Sequence, residues 1–383
     1  MTQKNGNAPR FLTPARLAPM PYPVARMPAK RFRAVDERVK SAIAEGLIPG
    51  AVAIVGRSQG PVHRVVAGHR ALRPRREPMT ATTVFDLASL TKVMATAPLV
   101  VEEATHGRLR LADPLERHLV ETRDTKVGTV PLHRLLTHTG GFVPDNPMED
   151  YRGSRTALVR AIAEEPLESE PGTKFQYSDV GYILLQILIE RRARKRLDVL
   201  AREKLYRPLQ LRDTRFGTRV KDRGRTAPTE LVRGTWLRGV VHDPRARSRA
   251  LMGIGGHAGV FGTAADTARF CEMILQRGAH GRRRVLAEAT IRAMTTDQCE
   301  PGVGARRGFG FDIQSPYSAP RGLRFSQRSF GHSGWTGVSL WIDPEADAYV
   351  VLLTNAIHPD GHRDLKTLRS DVATAAAEGL FRS

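Results

Sequence analysis

From Val35 onward apolar residues recur at helical spacing, at Val35, Val39, Ala42 and Ile43, until Gly46 and Pro49–Gly50 end the run. Ordered structure is therefore expected to begin near Ala34. Residues 51–55 and 62–66 have the short apolar pattern of two adjacent strands, joined by a turn around Ser58 to Gly60. Residues 90–106 read as a helix stopped by Gly107, and residues 180–190 as an apolar helix. From 107 to about 250 the chain is otherwise mostly helix and loop, and a further helix spans residues 265–276. The pattern then returns to strands, 337–342 and 348–354 around an Asp343–Pro344 turn, and a helix over about 365–381 closes the chain. Strands at both ends with helices between predict one sheet built from both termini and interrupted by a helical insert. The expected division is a basic, proline-rich arm over residues 1–33, a sheet domain from 34–85 and 265–383, and a mainly helical domain over 86–264.

Composition narrows the class. In 383 residues, 41% are hydrophobic and 26% charged, which is globular usage. No apolar run approaches the roughly 18 residues a membrane span needs. Two cysteines cannot build a disulfide framework or a four-thiolate zinc site. The net charge of +21 suggests an anionic partner, but fifty arginines against ten lysines point to a coding bias. The basic clusters are also scattered and lack the interleaved aromatics of a single-strand platform, so no specific nucleic-acid partner is expected. The first 35 residues hold no acid, seven Lys or Arg, and no apolar core of a secretory signal. As written the chain is expected in the cytoplasm, or in the periplasm if its N-terminus is mis-assigned or processed.

Chemistry begins at Ser89–Leu90–Thr91–Lys92. A serine and a lysine at i and i+3 share a helix face, and the lysine can take the hydroxyl proton if its pKa is depressed. The helix N-terminus adds a positive field for a developing oxyanion. Further marks follow in order: Asp113–Pro114, Thr137–His138–Thr139–Gly140–Gly141, Tyr177–Ser178–Asp179 before an apolar helix, Val241–His242–Asp243, Gly253 to Thr263, and His332–Ser333–Gly334 before a strand.

With these residues in this order, the chain from about 35 to the C-terminus resembles the serine β-lactamase and penicillin-binding-protein superfamily. The likeness is to its class C-like branch, which includes esterases, D-aminopeptidases and D,D-carboxypeptidases. The resemblance implies a β-lactamase/transpeptidase-like fold, α/β plus all-α, with an antiparallel sheet flanked by helices and the cleft between two domains. It implies Ser89 as the acylated nucleophile, Lys92 as its proton partner and Tyr177 as the proton relay. His332, Ser333 and Gly334 would border the cleft, and the amides of Ser89 and Trp335 would form the oxyanion hole. Two residues depart from the family pattern. Asp179 stands where Asn is usual, which would hold Lys92 protonated and move the base role towards Tyr177. His332 stands where Lys is usual, removing a permanent cation, a change that leans towards esterases and peptidases.

Other residues have plainer readings. Asp179 could instead cap the helix that follows. Gly253 to Ala258 mimics a dinucleotide fingerprint but follows no buried strand, so a tight turn lining the cleft is expected. His358 and His362 are separated by Pro359 and Gly361, which prevent a shared helix face, and no metal or other cofactor is expected. Cys271 reads as a buried small hydrophobe and Cys299 as a loop residue. The expected function is hydrolysis of small esters, amides or peptides through a Ser89 acyl-enzyme. The alternatives are a penicillin-binding D,D-carboxypeptidase or weak β-lactamase, and a non-catalytic binding protein whose basic surface serves an anionic partner.

Overall fold

The computed structural model describes residues 27–381. Its main sheet is antiparallel throughout, with strands in the order Arg306–Arg307, Asp312–Gln314, Phe330–Ser333, Ser339–Asp343, Ala348–Thr354, Gly50–Arg57, Gly60–Ala71 and Glu77–Pro78. Both ends of the chain meet in its centre, where Ala51 pairs with Thr354 and Gly56 with Tyr349. The hairpin after Gly50–Arg57 closes with Arg57 opposite Gly60, at the expected turn. The strand 337–342 is observed as Ser339–Asp343, with Gly337 at φ 107° in the turn before it.

The two-residue period of a strand decides what each face buries. Ala51, Ala53 and Val55 join a core with Val35, Val39, Val350, Leu352 and Val372. Val52 and Ile54 join the opposite core with Leu340, Val351 and Leu353. Helices Arg33–Ala44 and Lys366–Phe381 cover the first face, and helix Ala264–Leu275, including buried Cys271, covers the second. The central strands are thus apolar on both sides, so their sequence reads as continuous rather than alternating. Most of the expected basic arm lies outside the described residues; its end, Ala29–Phe32, forms a 3-10 turn that buries Phe32.

The second core continues into the helical region. Helix Asp179–Ala193 is buried from Val180 through Glu190, as a helix apolar all round must be. Four shorter helices, Ala97–Thr105, Leu132–Leu136, Arg155–Glu164 and Leu197–Ala201, pack around it. Its one internal amide is used: Gln186 donates to Ile254 O at 2.7 Å and accepts from Gly256 N at 2.7 Å. The glycine-rich stretch 253–258 is therefore a turn pinned to this helix. A second sheet, with Val260–Gly262 between Phe85–Asp86 and Arg215–Phe216, holds the segment that enters the cleft.

Two features depart from the local pattern. The expected helix 90–106 contains a wider turn, Lys92–Thr96, in which Ala97 N donates to Lys92 O. Pro98 has no N–H to return to Met94, which favours the wider register. In the stretch expected as helix and loop, Leu231–Val232 and Thr235–Trp236 form a hairpin. This excursion is tied to the sheet edge by Glu77, which takes Arg238 Nη1 at 2.9 Å and Arg70 Nε at 3.0 Å. The Arg238 hydrogen bond leads in lowering the Glu77 carboxyl to about 2. No helix among the described residues is long and apolar enough to cross a membrane.

Gly56 lies under the ring of Tyr349, where a Cβ would sit 2.3 Å from the ring carbon that bears the hydroxyl. Gly56→Ala must displace that buried ring, whose hydroxyl donates to Glu272 Oε1 at 2.9 Å. The substitution should cost about 2 kcal/mol, as overpacking typically does. A urea midpoint equal to that of the wild type would contradict this account of the central strand pair.

Candidate active site

The turn into the Ser89 helix is built by local hydrogen bonds. Strand Phe85–Asp86 pairs with Val260–Gly262, and Leu87 N donates to Val260 O at 2.9 Å. Ala88 then adopts φ 46°, a left-handed conformation that a β-carbon disfavours, held by its N–H on Asp86 Oδ1 at 2.9 Å. Ser89 leaves this turn at the helix start. Lys92, one turn later, reaches back so that Nζ lies 3.0 Å from Ser89 Oγ. The same ammonium meets Asp179 Oδ1 at 2.6 Å and His257 O at 3.4 Å. These three acceptors match its three hydrogens, and Lys92 is fully buried.

Tyr177 comes from the loop before helix Asp179–Ala193. Its ring lies 4.8 Å from Lys92 Nζ and stacks on His138, centroids 4.3 Å apart. His138 is fixed in turn, because Ser178 N donates to its Nδ1 at 3.1 Å. The acceptor role leaves the proton of the neutral ring on Nε2. The Thr-His-Thr-Gly-Gly segment thus orients Tyr177, a role its sequence position alone did not reveal. Asp179 is the first residue of its helix, after Ser178, and its carboxylate pairs with Lys92. The helix-cap reading of Asp179 is thereby corrected: the buried ammonium is the stronger partner.

On the facing wall, His332 and Ser333 end strand Phe330–Ser333. His332 is 5% exposed, and its Nδ1 lies 2.7 Å from Ser333 O. A carbonyl only accepts, so Nδ1 carries the proton and Nε2 the lone pair. Gly334 has no room for a side chain, since a Cβ would come within 2.9 Å of Ala88 Cβ. Trp335, by contrast, is 54% exposed and stacks on His362 at 3.8 Å. The cleft between these walls encloses about 590 Å³ and is lined by Ser89, Tyr177, Asp179 and residues 332–335. All the residues expected at the site therefore converge, with Lys92 beneath them. Arg369 and Arg307 also line it, and neither stands out in sequence because arginines are so numerous. Arg369 donates to Gly334 O at 2.9 Å, and burial lowers its pKa to about 10.

Electrostatics sort these groups. Burial opposes the charge on Lys92, but Asp179 and Tyr177 outweigh it, and its pKa lies above the ordinary lysine value. Burial raises the Tyr177 phenol; Lys92 works against that rise and Asp179 adds to it. Burial, reinforced by Arg307 and Lys92, holds both His332 and His138 neutral. Asp179, Asp243 and His257 bring possible metal-ligand atoms within 4.8 Å of one another. Each is already engaged, Asp179 with Lys92 and Asp243 with His257 Nε2 at 2.9 Å, and an adjacent ammonium repels a divalent cation. His358 is occupied in the fold, its Nε2 accepting from Leu72 N at 3.0 Å and Arg73 N at 3.2 Å.

Comparison with known proteins decides the lineage. The family model described as Beta-lactamase matches residues 35–374. The chain belongs to the beta-lactamase family. It is a serine hydrolase of that family. It is 30% identical over 314 residues to a putative D-alanyl-D-alanine carboxypeptidase of Escherichia coli (strain K12), covering 74% of this chain and 71% of the relative. It is 28% identical over 371 residues to an N-acetylmuramyl-L-alanine amidase of Bacillus subtilis (strain 168), covering 87% and 83%. Among solved structures, EstCE1, a hydrolase with promiscuous acyltransferase activity, superposes with a TM-score of 0.73 at 22% identity, over 91% of this chain and 99% of that one. This last likeness speaks for the fold, which is the expected β-lactamase/transpeptidase-like one.

Asp179 raises the pKa of both Lys92 and Tyr177. Whichever of the two takes the serine proton, it must first lose its own, so activity should rise with pH through that group's pKa. Asp179→Asn removes a negative charge that favours the protonated forms, and the rising limb of kcat/KM should move to lower pH. An unmoved limb would show that neither group's ionisation controls the rate.

Proposed function

We propose that the protein hydrolyses small esters and amides through an acyl-enzyme on Ser89. The observation that carries this reading is Lys92 Nζ, sealed from water and 3.0 Å from Ser89 Oγ. With Lys92 held as an ammonium by Asp179, the group left to accept the serine proton is the oxygen of Tyr177, whose ring lies 4.8 Å from Lys92 Nζ. The adjacent ammonium lowers the cost of a phenolate there. In acylation Ser89 Oγ bonds to the carbonyl carbon, the serine proton passes to Tyr177, and the carbonyl electron pair moves to oxygen. Collapse expels the leaving group, which takes the proton from Tyr177. Water then repeats the sequence on the ester, with Tyr177 receiving its proton and returning one to Ser89. The amides of Ser89 and Trp335 donate to no acceptor among the described residues, and they serve as the oxyanion donors.

His332 directs the choice among substrates. A neutral ring with its proton committed to Ser333 O gives no cation to a substrate carboxylate. This favours uncharged esters and amides over β-lactams. A second reading, a D,D-peptidase, is favoured by the 30% identity to a putative D-alanyl-D-alanine carboxypeptidase.

Ser89→Ala should lower hydrolysis of an activated short-chain ester by about 10³-fold or more, as loss of a nucleophile does. Intact mass after incubation with penicillin separates the two readings. A lasting adduct on wild type and none on Ser89→Ala would favour the peptidase, and ester turnover without an adduct the esterase. Equal ester hydrolysis by wild type and Ser89→Ala would sink both and leave the binding-protein alternative.

A further inference from the structure

The oxyanion donors assigned above come from segments some 250 residues apart in sequence, and their separation must be held to a fraction of an ångström for both to meet one oxygen. Lys92 does not set it, because its contacts lie on Ser89, Asp179 and His257. Two other contacts join the two turns directly. Thr336, next to Trp335, donates its Oγ1 to Asp86 O at 2.8 Å. Gly334, on the other side of Trp335, packs where a Cβ would touch Ala88 Cβ at 2.9 Å and Leu87 O at 3.0 Å. The strained Ala88 is in turn fixed by Asp86, whose Oδ1 accepts Ala88 N at 2.9 Å.

Asp86 is itself anchored from a third segment. Its Oδ2 accepts His242 N at 2.7 Å and lies 3.0 Å from His242 Nδ1. Asp86 is 2% exposed and Thr336 1% exposed, and neither lines the cleft, so neither touches substrate. Asp86 thus holds the Ser89 turn through its carboxylate and the Trp335 turn through its carbonyl. We infer that Asp86 and Thr336 are positioning residues which clamp the two halves of the oxyanion hole together, the Thr336 hydroxyl setting the spacing of the Ser89 and Trp335 amides.

This inference rests on the acyl-enzyme reading, and its test is separable from that one. Thr336→Val keeps the shape of the side chain and removes the donor, while Thr336→Ser keeps the donor. With an activated ester, Thr336→Val should lower kcat about 10- to 100-fold with KM little changed, approaching the loss seen when an oxyanion donor is removed. Thr336→Ser should restore most of it. Inhibition by phenylboronic acid, which forms a tetrahedral adduct on the serine, should weaken in proportion to kcat/KM across the series. The inference fails if Thr336→Val keeps the wild-type kcat. It also fails if Thr336→Val and Thr336→Ser lose activity equally, since packing alone would then be at work. Where Thr336→Val does not fold, Gly334→Ala decides, because its Cβ must push the turns apart; wild-type kcat and boronate affinity in that variant would overturn the clamp. Ser89→Ala in the same assay is the control for the acyl-enzyme itself, whose failure would appear there whatever the Thr336 variants do.

Discussion

Lys92 carries a full positive charge at a place water does not reach, and the cleft is arranged around that constraint. Burying an ammonium costs several kcal/mol unless partners replace its hydration. Here Asp179 Oδ1 at 2.6 Å, Ser89 Oγ at 3.0 Å and His257 O at 3.4 Å replace it, with the Tyr177 and Tyr182 rings 4.8 and 5.6 Å away. Each partner arrives on a different segment: the Ser89 turn, the start of helix Asp179–Ala193, and the glycine-rich turn before Val260–Gly262. Satisfying one charge therefore requires these segments to meet, which makes the site a folding constraint as well as a reactive centre. Asp179 in place of a neutral amide turns that constraint into an ion pair, which supports the proposed proton-accepting role of Tyr177.

The same charge explains the neutral histidines. His138 and His332 are buried within reach of Lys92 and Arg307, so a second or third positive charge among them would be repelled as well as desolvated. Neutrality fixes their tautomers through the single hydrogen bond each makes, His138 as acceptor from Ser178 N and His332 as donor to Ser333 O. One imidazole stacks on Tyr177, and the other closes the wall opposite it. Neither can serve as a cation, so the fixed charges of the cleft come from other residues, among them the lysine–aspartate pair, Arg307 and Arg369.

What the sequence disclosed and what it hid follow a physical division. Ser89 and Lys92 are one helical turn apart, so their contact is a local fact that spacing predicts. The central strands and the buried helix Asp179–Ala193 were legible for a different reason: each is buried on every side and so reads as an uninterrupted apolar run, whose length separates strand from helix. His257 was invisible as a partner of Lys92 because it contributes a backbone oxygen, which any residue could supply. The Glu77–Arg238 tie and the hairpin Leu231–Val232 with Thr235–Trp236 were hidden because one arginine among fifty has no local signature. The wide turn at Lys92–Thr96 was hidden as well, although Pro98 marks it in retrospect.

Rigidity within the site also bears on where substrate choice resides. Lys92, Thr336, Asp86 and His332 are 0–5% exposed and each is held by at least one hydrogen bond, so they cannot adapt to different substrates without loss of the geometry they maintain. Trp335 and Tyr317 line the same cleft at 54% and 46% exposure, held mainly by ring contacts with His362 and with Tyr177 and Phe175. Such aromatic faces offer apolar area with little hydrogen-bonding demand. The buried layer thus holds Lys92 and His332, while the exposed rings at the rim add apolar area beside them. This is why the order of motifs could disclose the reaction while the substrate left no comparable trace in the sequence.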